Sequence, residues 1–121
     1  MKNIFISVFL LVFLPSYIFI QACPSKTIAG KNYIYFVGRL DGLGGDEKVI
    51  VWFEYGLDKE NLSKKTKKIE LKKPKIFCVK ETKLKNCTTY FYRAVAENSA
   101  GINYGETKYI KTLCKKKLKN N

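Results

Sequence analysis

The stretch Thr88-Thr-Tyr-Phe-Tyr-Arg-Ala-Val-Ala-Glu-Asn-Ser-Ala-Gly101, TTYFYRAVAENSAG, decides how the rest of this chain is read. Successive side chains of a strand point to opposite faces. Tyr90, Tyr92, Ala94 and Ala96 therefore share one side, and Phe91, Arg93 and Val95 the other. Asn98, Ser99 and Gly101 then supply turn chemistry.

Working outward, every other periodic segment also reads as strand. YIYFVGRL (33–40) is rich in aromatic and β-branched residues, and DGLGGDE after it is a turn. VIVWFEYG (49–56) closes on Gly56. KKTKKIEL (64–71) is loaded with lysine, as an edge strand that must resist pairing with other chains is. KIFCVKET (75–82), TYFYRAVAE (89–97) and GETKYIKTL (105–113) complete the set. No helical stripe occurs beyond the amino-terminal segment, and short strands between turn signals predict a β-sandwich or barrel.

The amino-terminal segment has the layout of an export signal over residues 1–22. Lys2 supplies charge, Ile4 to Ile20 is almost continuously apolar, and small Ala22 precedes Cys23. The apolar run of 17 residues (4 to 20) is short for a bilayer span of roughly 20, and Pro15 interrupts it. An uncleaved anchor is the competing reading. FIQAC resembles a bacterial lipoprotein box through Ile20, Ala22 and Cys23, with Gln21 departing from it. Cys23 is thus either a lipidated amino terminus or an ordinary cysteine of the exported chain.

Export predicts an oxidising compartment, which makes the cysteines disulfide candidates. The chain of 121 residues has four cysteines, no C-x-x-C pair and no histidine, so neither a zinc site nor a cofactor is expected. Lack of histidine also removes the Ser-His-Asp and Cys-His arrangements. The Gly-rich DGLGGDE lacks the Lys-Ser/Thr ending of a phosphate loop. The chain is expected not to be an enzyme.

LKNCTTYFYRAVAENSAGINYGE, together with VWFEYG, resembles the second half of bacterial fibronectin type III domains. In that family a Leu is followed six residues later by the Tyr that opens strand F, and Leu84 and Tyr90 hold this spacing. The tyrosine hydroxyl would tie the turn before strand F to the sandwich. FVGRLDG is similar to the family's strand B through Gly38 and Leu40, with Asp41-Gly42 in place of Asn-Pro. The likeness spans residues 32 to 113. It implies an all-β, immunoglobulin-like antiparallel sandwich over 32–114, a linker or short strand A over 23–31, and a basic disordered tail over 115–121. Strand A has only PSKTIAGK available, so Thr27 to Ala29 forms a stub or that edge is open.

The resemblance also assigns faces. Ile34, Phe36, Leu40, Val51, Phe53, Tyr55, Tyr90, Tyr92, Ala94 and Ala96 would point inward. Trp52 and Glu54 would share the outer face with Phe91, Arg93 and Val95. Trp52, Phe91 and Arg93 there form either a binding patch, being residue types that dominate interface hot spots, or a cross-strand packing with Arg93 over Trp52. On the same borrowed topology Cys87 and Cys114 come together. Cys23 and Cys78 remain as a couple of poor geometry if Cys23 carries no lipid.

The net charge of +13, concentrated in LSKKTKKIELKKPK and CKKKLKNN, belongs to a solvated edge and tail or attracts anionic surfaces. Nucleic acid is disfavoured for an exported chain without a recognition motif. The expected function is a non-catalytic binding or structural module at the cell envelope. Its partner would be a protein or a surface polymer. An accessory subunit of a secreted enzyme, lysine-driven binding to membrane or polymer, and carbohydrate binding stay open. Membrane attachment would run through Cys23 or an uncleaved signal.

Overall fold

The computed structural model describes residues 22–116. The signal reading, apart from Ala22, and residues 117–121 of the basic tail lie outside the described residues. Within them the chain forms β1 (Ile28–Ala29), β2 (Ile34–Leu40), β3 (Val49–Gly56), β4 (Lys64–Lys65), β5 (Ile69–Leu71), β6 (Lys75–Glu81), β7 (Thr89–Asn98), β8 (Gly101–Tyr104) and β9 (Lys108–Lys111). β1, β2 and β6 make the smaller sheet. In the larger sheet β3 and β7 lie side by side, flanked by β4 and β5 on one edge and β8 and β9 on the other. All pairings are antiparallel, and the two sheets pack as an immunoglobulin-like sandwich.

Alternation along each strand builds the core. Ile34, Phe36, Val51, Phe53, Tyr55, Tyr90 and Tyr92 are buried in one cluster, with Leu40, Ala94 and Ala96 packed against it. Phe36 sits at the centre, its ring 5.4 Å from Phe53, 5.3 Å from Tyr55 and 5.1 Å from Tyr92. Such ring pairs add about 0.5–1.5 kcal/mol each beyond their burial. Gly38 is required by this packing, because a Cβ there would stand 2.7 Å from the Phe77 ring. Without a side chain at that position, Phe77 and Phe53 close over the gap at 5.2 Å.

Three segments differ from the sequence reading. The turn after β7 contains only Ser99 and Ala100, since Asn98 pairs with Gly101, whose φ of 133° suits glycine. Strand pairing therefore resumes at Gly101, earlier than the expected start at 105. The stretches 64–71 and 105–113 are each broken in two. On the β3 ladder Glu54 faces Lys65 but Val51 faces Ile69, so Thr66 to Lys68 oppose only Phe53 and Trp52. On the β7 ladder Val95 faces Tyr104 but Tyr92 faces Lys108, so Gly105 to Thr107 oppose only Ala94 and Arg93. Each is a β-bulge of one extra residue. Thr66 closes the first by accepting from Phe53 N–H on Oγ1 at 3.0 Å. Gly105 N–H closes the second on the Ala94 carbonyl at 2.8 Å.

The turn between β6 and β7 holds both expected features. Tyr90 Oη accepts from Lys85 N–H at 2.9 Å, above buried Leu84. Cys87 and Cys114 are disulfide-bonded, their Cα atoms 4.3 Å apart. Thr112, 2% exposed, locks this region. Its Oγ1 donates to the Lys85 carbonyl at 2.6 Å and accepts from Thr88 N–H at 3.0 Å.

The other disulfide corrects the expectation of poor geometry for Cys23 and Cys78, whose Cα atoms lie 5.6 Å apart. Cys78 points outward from β6 opposite Val37, and Val37 N–H donates to Thr27 Oγ1 at the β2 edge. Residues 24–26 thus lead from that edge back over the outer face of the smaller sheet to Cys78. A sulfur bonded to Cys78 is not free to form the thioether of a lipidated cysteine, so the two fates of Cys23 exclude one another. Two disulfides in so small a body fit an oxidising environment.

Candidate functional site: the outer face of the larger sheet

The register places Trp52 beside Val95, Glu54 beside Arg93 and Gly56 beside Phe91 on the outer face. Trp52, Phe91 and Arg93 therefore share the face that the sequence reading gave them. Trp52, however, is only 2% exposed. Lys68 Nζ lies 4.4 Å from its ring centroid, and its Nε1–H points to Glu54 Oε2 at 3.4 Å. Arg93 does not cover Trp52. Its guanidinium stacks on Tyr104 at 4.0 Å and donates to Glu54 Oε1 from Nη2 at 2.8 Å and from Nε at 3.1 Å.

The edge bulges produce this arrangement. Residues 65 and 68 are an odd number apart, as are 104 and 109, so in unbroken strands each pair would straddle the sheet. The extra residue in each edge brings both members to the outer face. Lys65 comes to 4.0 Å from the buried Glu54 carboxylate and Lys68 comes over Trp52. On the opposite edge Tyr104 lies across from Val95 and Tyr109 across from Phe91. The lysine side of the face is thus a lid over Trp52 and Glu54.

The side toward β8 and β9 is open. Tyr109 is 73% exposed, Tyr104 54% and Ile102 43%, and half-buried Phe91 packs against Tyr109 with centroids 6.3 Å apart. Together with Arg93 these side chains form an aromatic strip carrying one cation. Glu54 holds that cation, so the guanidinium is already oriented. The sequence reading missed Ile102, Tyr104 and Tyr109. Their signal was the alternation in INY and KYI, masked by the odd spacing that the bulge corrects.

A cleft of about 510 Å³ opens at the end of the sandwich between Tyr55, Leu57, Leu84 and Tyr90, with Lys64, Lys83 and Lys85 on its rim. Tyr55 Oη donates to Glu81 Oε2 there at 3.3 Å. Burial, reinforced by the Glu81 charge, pushes the phenol up to about 12. At the other end Asp46 holds the Ser99 turn, accepting from Ser99 N–H at 2.7 Å and from Oγ–H at 2.8 Å. These bonds keep its carboxyl below the ordinary value. No protein-family model matches the chain, and comparison with curated proteins finds no match for it.

Proposed function

We propose that this chain is an exported, non-catalytic binding module of the fibronectin type III kind, which holds a protein partner on the outer face of its larger sheet. Support for the kinship comes from the Leu84–Tyr90 corner and from the sandwich topology. Support for export comes from the residue 1–22 layout and the two disulfides.

One observation carries the binding role: Tyr109, Tyr104 and Ile102 stand in the open beside an oriented Arg93, with half-buried Phe91 packed against Tyr109. Aromatic residues and arginine dominate protein interface hot spots, and exposed apolar patches mark contact sites. Membrane binding driven by lysine is less well supported. The lysines on this face are partly occupied, Lys68 with Trp52 and Lys65 with Glu54.

A photo-crosslinking amino acid placed at Tyr109 in the producing cell tests the reading, with Lys59 as the exposed control site. One protein crosslinked from position 109 and not from 59 is the expected outcome. Crosslinks to lipid or polysaccharide alone, or equal patterns from both sites, refute it. Amino-terminal sequencing of the same material that returned Met1 would refute export.

A further inference from the structure

β1 covers only the beginning of the β2 edge. It pairs with Ile34 and Tyr35, and Thr27 then accepts one bond from Val37 N–H. Past that point no strand of the described residues lies beside β2 on this edge. The N–H and C=O of a given residue point to the same side of a strand and alternate along it. The Val37 bond fixes which side, so the Val37 carbonyl and the Arg39 N–H and C=O face the uncovered edge. The open stretch, 37 to 40, is roughly 13 Å long at about 3.3 Å per residue.

Beside this edge the two sheets part. A groove runs between β2 and the β8–β9 edge in three stretches of about 530, 240 and 210 Å³, all walled by Arg39. Tyr92, Ala94 and Phe77 contribute its apolar floor. Lys26, Arg39 and Lys108 are the cations of its lining, against Glu106 as the acid. Three of the other sheet edges carry lysine. β4 is Lys64–Lys65, with Lys67 and Lys68 leading into β5; β6 carries Lys75 and Lys80; and β9 carries Lys108 and Lys111, whereas β8 carries none. Lysines on an edge discourage strand addition. On the open part of β2 the charge is Arg39, paired with Asp41 at 3.0 Å.

We infer that this groove accepts an extended acidic segment of a partner protein, added as a strand to β2. Backbone bonds to Val37 and Arg39 would supply register. Alternate apolar side chains would fall on Phe77 and Tyr92, and the intervening carboxylates would meet Lys26 and Arg39, with Lys108 adding positive charge on the Tyr92 side of the groove. A second copy of the chain fits poorly, because every copy carries +13 and brings lysine to a cationic groove. The surface is separate from the aromatic strip, so either can fail without the other.

The probe is a fluorescent peptide of about nine residues alternating Val and Glu, long enough to pass the open edge. Its controls are a Val–Lys peptide and two Val–Glu peptides N-methylated at every second residue, one in each register. The full exported chain with both disulfides is titrated by anisotropy. The Val–Glu peptide should bind and protect the Arg39 amide from hydrogen exchange, and the Val–Lys peptide should not. One N-methylated register should bind about tenfold more weakly or worse, about 1.4 kcal/mol. Arg39→Pro, which deletes the edge donor, should have the same effect. If that variant does not fold, Lys26→Glu with Lys108→Glu takes its place. Lys64→Glu with Lys65→Glu should leave binding within about twofold. Absence of binding overturns the inference. So does binding indifferent to N-methylation, binding lost through Lys64 and Lys65 alone, or a self-associated chain protected at Arg39.

Discussion

Replacing Trp52 by alanine separates a covered outer face from a merely exposed one. A tryptophan side chain buries about 150–250 Å², which at about 25 cal/mol per Å² is worth about 4–6 kcal/mol. Here the covering atoms are of two kinds. Val95 is rigid and 1% exposed, whereas Lys68 lies over the ring from the solvent side. After truncation the lysine stem can settle into the space and water can reach the rest. The loss should therefore fall near ~3 kcal/mol, the lower end for Trp or Phe to Ala, because the site can collapse. Phe53→Ala, enclosed on both sides at 0% exposure, should cost ~4–5 kcal/mol. Lys68→Ala alone should cost about 0.5–1 kcal/mol through the lost cation–π contact.

Urea unfolding with the disulfides intact measures all three. Far-UV circular dichroism is the probe, since Trp52 is the chain's single tryptophan and its fluorescence vanishes with the substitution. A Trp52→Ala loss below about 0.5 kcal/mol, the usual size for an exposed position, would refute the covered face. So would Trp52 and Lys68 losses that add with no coupling in a double-mutant cycle.

Two further outcomes are expected. Cys87→Ser with Cys114→Ser opens a loop closed over a separation of 27 residues, and loop-closure entropy predicts a loss of about 3–4 kcal/mol in the same urea assay. A loss under about 1 kcal/mol would show that the Thr88–Thr112 bonds already fix this end. Tyr55, whose phenol is held up to about 12 from 10.0, stays neutral in the folded chain after the unfolded chain has begun to ionise. Its contribution is fully present below pH 10 and is lost as pH rises from 10 toward about 12. Tyr55→Phe should flatten that alkaline fall relative to the parent chain, and identical pH profiles would contradict the burial argument.

Much of the architecture was legible because it rests on period two. Alternation sets which residues share a face and the resemblance sets which face is inner, so Phe36, Phe53 and Tyr92 fall inward and their three strands meet in one ring cluster. Leu84 and Tyr90 were readable because the corner is a local device, made within six residues. The edge strands were not. A bulge inserts one residue without any obligatory residue type, so KKTKKIEL and INYGETKYIK look continuous in sequence while their faces change partway. That is why Tyr104 and Tyr109 escaped notice, and why one of the two readings of the outer face laid Arg93 over Trp52 when it lies on Tyr104. Cys23–Cys78 was hidden for another reason. The path of residues 24–26 over the smaller sheet follows from the shortness of β1, a tertiary fact with no local signature.

The two disulfides also determine how a pull on the folded body would travel. Each joins one end of it to the interior, Cys23 to Cys78 and Cys114 to Cys87. A load applied at the two ends passes from Cys23 across to Cys78, along the chain to Cys87, and across to Cys114. Strands β2 to β5 lie wholly inside one closed loop and β7 to β9 inside the other, so neither group is on the load path. Only the segment between residues 78 and 87 can be drawn out, to roughly 30 Å at about 3.4 Å per residue. With both bonds reduced, the segment between residues 23 and 114 could extend to roughly 300 Å by the same measure. The oxidised body is in effect a nearly inextensible link, able to lose its fold under tension without lengthening much.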